Sequence, residues 1–330
     1  MSWPVVISAL VVALAATVFA SVRWGVREIP FETVWEALLA RDVSNPDHEV
    51  IWRQRMPRTA IGLVAGAALG VAGALLQGLT RNPIADPGLL GINAGASLAV
   101  VAAIGLVGVT DPAGFVWFAF IGGAGAAALV YAAATLGPDG PTPVTLALLG
   151  AAVTATATSA ITVVLLTDQS VFADYRFWSV GALVNRPAEL VLLVLPIAAV
   201  GGLLAVVSAR FLDAVALGED LARGLGQDVD GGRMRVLAAA VLLAGGATAL
   251  VGPIAFVGLL VPHLARALAG ISYARVVPVS AVLGPVVLLV ADVIGRLLVR
   301  PAEVEAGVVV AFVGAPVLIW LVRHQKQVSM

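Results

Sequence analysis

The chain has 330 residues, 60% of them hydrophobic and 12% charged, with a formal net charge of −1 and a mean hydropathy of +1.02. A soluble domain carries roughly a quarter charged residues, so this chain is integral to a membrane, with little mass outside it. It lacks cysteine, which excludes disulfides, thiolate catalysis and cysteine-held metal. No basic block suggests nucleic acid. His48, His263 and His324 lie far apart and form no ligand motif. Lys326 is the only lysine; a Walker A loop sets a lysine on the phosphates, so the chain is not its own P-loop ATPase.

In chain order, residues 3–20 form the first apolar run. Without a positively charged lead or a cleavage site, this reads as a retained span. Residues 30–39 place Phe31, Val34, Trp35, Leu38 and Leu39 on one helical face, the pattern of a short helix lying at the interface or packed on neighbouring loops. Arg53, Arg55 and Arg58 then precede a charge-free run from Thr59 to Leu79, long enough to cross a bilayer core. Within it Gly62, Gly66, Gly70, Ala74 and Gly78 recur every fourth residue, a small-residue face for close helix packing. Pro83, Pro87 and Gly88 break the run.

Further spans are predicted near 93–109, 114–136, 143–167, 188–209, 234–252, 254–268, 275–294 and 304–322, for ten in all, with those near 93–109 and 254–268 short. Pro83-Ile-Ala-Asp-Pro-Gly-Leu-Leu90 matches Pro253-Ile-Ala-Phe-Val-Gly-Leu-Leu260 at six of eight positions, each after a small-residue helix. The two copies are expected to cross in opposite directions, as in an inverted-topology repeat. Residues 213–230 are polar but carry Leu217, Leu221 and Leu225 as a ridge, with Gly218 and Gly226 bracketing a short helix. A solvated loop needs no leucine ridge; a docking element does. Basic residues divide nine to ten between the two sides, so charge does not orient the chain.

The sequences RMPR (55–58), GALLQGLTRNPIADPGLLG (73–91), GPIAFVGLLVPHLAR (252–266) and VGAP (313–316) resemble the permeases of bacterial ATP-binding cassette importers for iron–siderophore complexes, haem and vitamin B12. The resemblance covers nearly the whole chain. It implies an all-α, polytopic membrane protein of about ten transmembrane helices with spans 2–5 and 7–10 as the inverted repeat. The chain would be one permease domain, 1–330, with a cytoplasmic coupling region at 213–230 (Leu217, Gly218, Glu219, Leu221, Leu225, Gly226). Both termini would be cytoplasmic, in the bacterial cell membrane. Implied partners are a second permease subunit, two ATPase subunits that hold the ATP-Mg, and an extracytoplasmic binding protein; the chain itself would bind no cofactor or metal and would not be an enzyme.

The resemblance further implies an inner gate at Asn82 and Ile84 and at the start of span five. There this chain has Pro143 and Val144, flanked by Thr142 and Thr145, where the family offers hydroxyl residues. It implies that Arg55, Arg58 and Arg296 grip glutamates of the binding protein. An ion-coupled secondary transporter is the alternative; such proteins bury ionisable groups in their spans, and here almost every span is free of charge. A scaffold or an intramembrane enzyme ranks below both, since neither HExxH nor GxSxG occurs.

Overall fold

The computed structural model describes residues 3–137, 140–184 and 186–325; Lys326 lies outside them. All regular structure among these residues is helical. The order is α1 (Trp3–Arg23), α2 (Phe31–Leu39), α3 (Pro46–Val50), a π turn (Ile51–Arg55) and α4 (Met56–Thr80). After a 3-10 turn (Pro87–Leu90) come α5 (Ile92–Ala102) with a π turn (Ala103–Val107), α6 (Pro112–Leu136), α7 (Pro143–Thr167) and α8 (Gln169–Ser179). The chain ends with α9 (Glu189–Val215), α10 (Glu219–Gly224), α11 (Val229–Val251), α12 (Val257–Ala269), α13 (Tyr273–Leu298) and α14 (Ala306–Gln325). Among the described residues seven helices are long and apolar enough to cross a membrane; α5 with its π turn and α12 are shorter apolar helices, and α14 is apolar over Ala306–Val317. These are the ten predicted spans.

The differences lie at helix ends and in polar segments. α9 and α11 extend beyond their apolar runs, to Val215 and back to Val229. α3 and α8 were not expected, because charged and amide residues hide them from a hydropathy reading. Local caps hold both: Asn45 accepts from the Asp47 N–H, and Asp168 from those of Ser170 and Val171. In α2, Val34 and Ala37 pack with Val22, Ile29 and Ile51, while Phe31, Trp35 and Leu39 are exposed. The helix is therefore both packed on its neighbours and amphipathic.

α4 is the most enclosed span, 78% buried against 17% for α7, and it packs on α9, α11, α12 and α13. Its small residues make this possible. A Cβ added to Gly66 would lie 2.6 Å from Pro285 N and 2.7 Å from Gly284 O, and one on Gly70 2.7 Å from Ser280 O. Gly62 faces Leu289 and Leu183, Gly78 faces the Tyr273 ring, and Ala74 is fully buried. The ladder thus packs largely on α13 in the small-residue manner of membrane helices. Gly73, off the four-residue spacing, meets the Gly258 backbone of α12 even more closely.

The repeat is visible in the packing. α4 touches α12 and α13, and its counterpart α11 touches α5 and α6, the counterparts of α12 and α13. Each copy interrupts its helix differently. Arg81 (φ 49) closes α4 in the left-handed region and the chain makes a full loop before α5; Gly252 (φ 83) and Phe256 (φ 69) turn the second copy directly into α12.

Candidate functional site

Residues 216–228 and the loop after α4 meet at one end of the bundle. A short helix does lie between Gly218 and Gly226, but it is shorter than the leucine ridge it was expected to carry. α9 runs to Val215, Gly218 (φ 116) turns the chain, α10 takes only Glu219–Gly224, and Gly226 (φ 80) turns it again. Leu217 and Leu225 therefore flank α10 rather than lie on it. All three leucines are nonetheless exposed, at 66%, 55% and 63% for Leu217, Leu221 and Leu225, while Ala222 anchors the turn in the core. The segment thus exposes three large apolar side chains among charged neighbours.

The gate candidates come together at the same end. Asn82 Oδ1 accepts from the Ile84 N–H at 3.0 Å, and Ile84 is exposed. Thr142 caps α7 by accepting from the Thr145 N–H at 3.2 Å, Pro143 occupies the first helical turn, and Val144 is exposed. Thr80, Ala85 and Asp86 line a small cleft with Pro143 and Ala147, so the loop after α4 abuts the start of α7. The Leu89 carbonyl lies against Gly150, which seats the loop on α7 one turn further along.

Asp86 accepts from the Gly88 N–H at 2.8 Å and lies beside Gly258. Burial pushes its carboxyl up to about 6, against the opposing pull of the Gly88 N–H. A folded-state value above the unfolded one, about 3.9, gives stability that is present below about pH 4 and lost as pH rises through about 6. Asp86→Asn keeps an acceptor for Gly88. It is expected to flatten the change in melting temperature between pH 4 and 7 and to raise the melting temperature at pH 7.5. An unchanged pH slope in the variant would count against a half-buried, proton-favouring Asp86.

Deeper along the same helices lies a polar network that the sequence reading missed. Gln77 donates to the Gly258 carbonyl at 3.1 Å and accepts from Arg266. Asp213, at the end of α9, accepts from Ser272 Oγ at 2.8 Å and from the Tyr273 N–H at 2.6 Å. Gln77 is the one amide in the otherwise apolar run of α4, and that was its available signal.

The opposite end carries the correction. Arg55, Arg58 and Arg296 were expected to grip glutamates of a binding protein, but they are 4%, 7% and 2% exposed. Arg58 grips Asp292 with two nitrogens, at 3.0 and 2.7 Å, and reaches Glu303 at 2.6 Å. Arg296 takes the other Asp292 oxygen and donates to the carbonyls of Ser21 and Trp24 at 2.8 and 3.0 Å. Arg55 donates to the carbonyls of Val22, Arg23 and Arg27. The three guanidinium groups thus tie α4, α13 and the link between α1 and α2 together through groups of the same chain. Asp292, wholly buried, pairs with Arg58 and Arg296, while Arg55 is held by backbone carbonyls alone. Arg300–Glu28, Arg27–Asp47 and the pair Arg41 and Arg53 on Glu49 complete an exposed rim of ion pairs.

Among the described residues no group of histidine, aspartate or glutamate has the arrangement of a metal site. The chain matches the FecCD transport family over residues 13–324. It is 38% identical over 320 residues to the probable siderophore transport system permease protein YfiZ of Bacillus subtilis, covering 97% of this chain and 96% of that protein. It is 40% identical over 323 residues to the ferric enterobactin transport system permease protein FepD of Escherichia coli, covering 98% and 96%. Among solved structures, an inward-facing putative metal-chelate type ABC transporter superposes with a TM-score of 0.85 at 25% identity, over 98% of this chain and 100% of that one. With helices, repeat and length all in agreement, the chain belongs to the FecCD transport family.

Proposed function

We propose that this chain is the membrane-spanning permease subunit of an ATP-driven importer for ferric siderophore complexes. The observation that carries the reading is the whole-chain match to the transport family, whose curated relatives include permeases named for siderophore and ferric enterobactin transport. The path is formed by a pair of permease subunits. Two ATPase subunits dock on the exposed leucines around α10, and an extracytoplasmic binding protein delivers the cargo at the opposite end, where residues 24–55 and 299–305 gather. Both termini lie on the ATPase side.

The chain's own residues supply packing, a loop gate and a docking patch rather than a tight cargo site. A path that binds weakly lets its cargo leave. The structure also weakens the ion-coupled alternative. Among the described residues Asp292 is the wholly buried carboxylate within a span, and two arginines neutralise it, so it offers no open proton or sodium site.

Leu221→Asp tests the docking patch. A charge placed in an apolar groove costs several kcal/mol unless paired, so the ATPase subunits are expected to stop co-purifying while the permease stays folded. Undiminished co-purification with undiminished uptake would reject the patch as the ATPase contact.

A further inference from the structure

Glu219 is where the two halves of the repeat meet. Its carboxylate accepts from Arg233, in the first turns of α11, at 2.7 Å. The same oxygen lies 3.7 Å from Nη2 of Arg81, the residue that closes α4. The other oxygen lies 3.7 Å from Arg223 on α10 itself. α4 and α11 are the corresponding first helices of the two copies, so one carboxylate on α10 joins both. Among the described residues Glu219 is the only acid that Arg81 pairs with. Arg81 also holds a left-handed backbone (φ 49) without being glycine, a conformation side chains seldom take. From it the chain passes directly into Asn82, Ile84 and the loop that seats on α7.

We propose that Arg81 and Glu219 form the strut that carries movement of α10 into the loop after α4, so that this pair sets how tightly ATP hydrolysis is coupled to opening of the gate. The proposal rests on the ATPase-docking reading above and deepens it. Ala222 and the packing of α10 on α9 and α11 tie it to those two helices. The Arg81–Glu219 ion pair reaches from α10 to the end of α4, and the firmer bond to Arg233 fixes α10 to the start of α11 as a fulcrum. Arg81 and Glu219 are both partly exposed, and an ion pair of that kind adds little stability. Its loss therefore leaves the fold standing, and its role is read in coupling.

The test uses the full complex in proteoliposomes, measuring ferric siderophore imported per ATP hydrolysed. Arg81→Glu sets like charges against each other while leaving the Glu219–Arg233 bond in place. It is expected to assemble with the ATPase subunits and hydrolyse ATP, but to import about tenfold less per ATP, within the roughly 5- to 150-fold span of coupling between linked sites. Arg81→Lys keeps the charge and is expected to stay within about threefold of the parent, a rescue that a purely structural role would not show. If Arg81→Glu fails to assemble, Arg81→Gln carries the same expectation with a smaller loss. Import per ATP equal to the parent in Arg81→Glu or in Arg81→Gln, or an equal loss in Arg81→Lys, overturns the strut. A parent complex that imports without ATP overturns the importer reading instead, so the two failures are distinct.

Discussion

Asp292→Ala is expected to remove about 3–5 kcal/mol of stability, the usual cost of breaking a buried ion pair by deleting one partner. Asp292 is fully enclosed, and both Arg58 and Arg296 lean on it. Without it two buried cations face each other beside Arg55, with only Glu303 left to pair with Arg58. The same geometry decides the outcome of Arg58→Glu with Arg296→Glu. Two new carboxylates would stand against Asp292, and the Ser21 and Trp24 carbonyls would lose their donor. The double reversal is therefore expected to abolish folded protein rather than selectively abolish capture of a binding protein. Size-exclusion profiles and thermal melts of the purified permease check both variants. Monodisperse protein with a parental melting temperature for Asp292→Ala would show that the cluster does not hold the bundle.

Gly66→Leu is expected to have an equally large effect for a steric reason. Even the first carbon of a side chain at Gly66 would lie 2.6 Å from Pro285 N, and Gly284 on the facing helix is as tightly hemmed by Gly66 in return. Both obstacles are backbone, so no rotamer change relieves them, and α4 and α13 must separate. Between lipid-embedded helices such packing is a principal source of association. Gly125→Leu is the matched control: it is an exposed glycine on α6 with nothing within 4 Å of an added Cβ. The expected result is loss of membrane-inserted, detergent-stable protein for Gly66→Leu and near-parental yield for Gly125→Leu. Equal yields would place the α4 ladder against lipid.

The long helices were legible because hydrophobic length reports a span directly, and the two short ones because Pro83, Pro87 and Gly252 interrupt the runs before them. The packing face of α4 was legible for four glycines and one alanine, since a four-residue period keeps them on one side. Gly73 escaped because it lies off that period, and its reason for being small, Gly258, is far away in sequence. The arginines show where such reading stops. RMPR reports charge at a span end but not its partner, and Asp292 lies 234 positions beyond Arg58. The Asp292–Arg296 spacing of four residues on one helix was the available clue. Likewise the leucine spacing of four suggested a ridge on one short helix between Gly218 and Gly226, and only the structure shows that helix confined to Glu219–Gly224, with Leu217 and Leu225 flanking it.

The most direct measurement of the central claim is radiolabelled ferric siderophore uptake into proteoliposomes containing this permease pair with its ATPase subunits and binding protein. Proton and sodium gradients are imposed or collapsed independently of ATP. Uptake that requires ATP and the binding protein, and persists when both gradients are collapsed, is the predicted result. Uptake that follows an ion gradient and proceeds without ATP would contradict it.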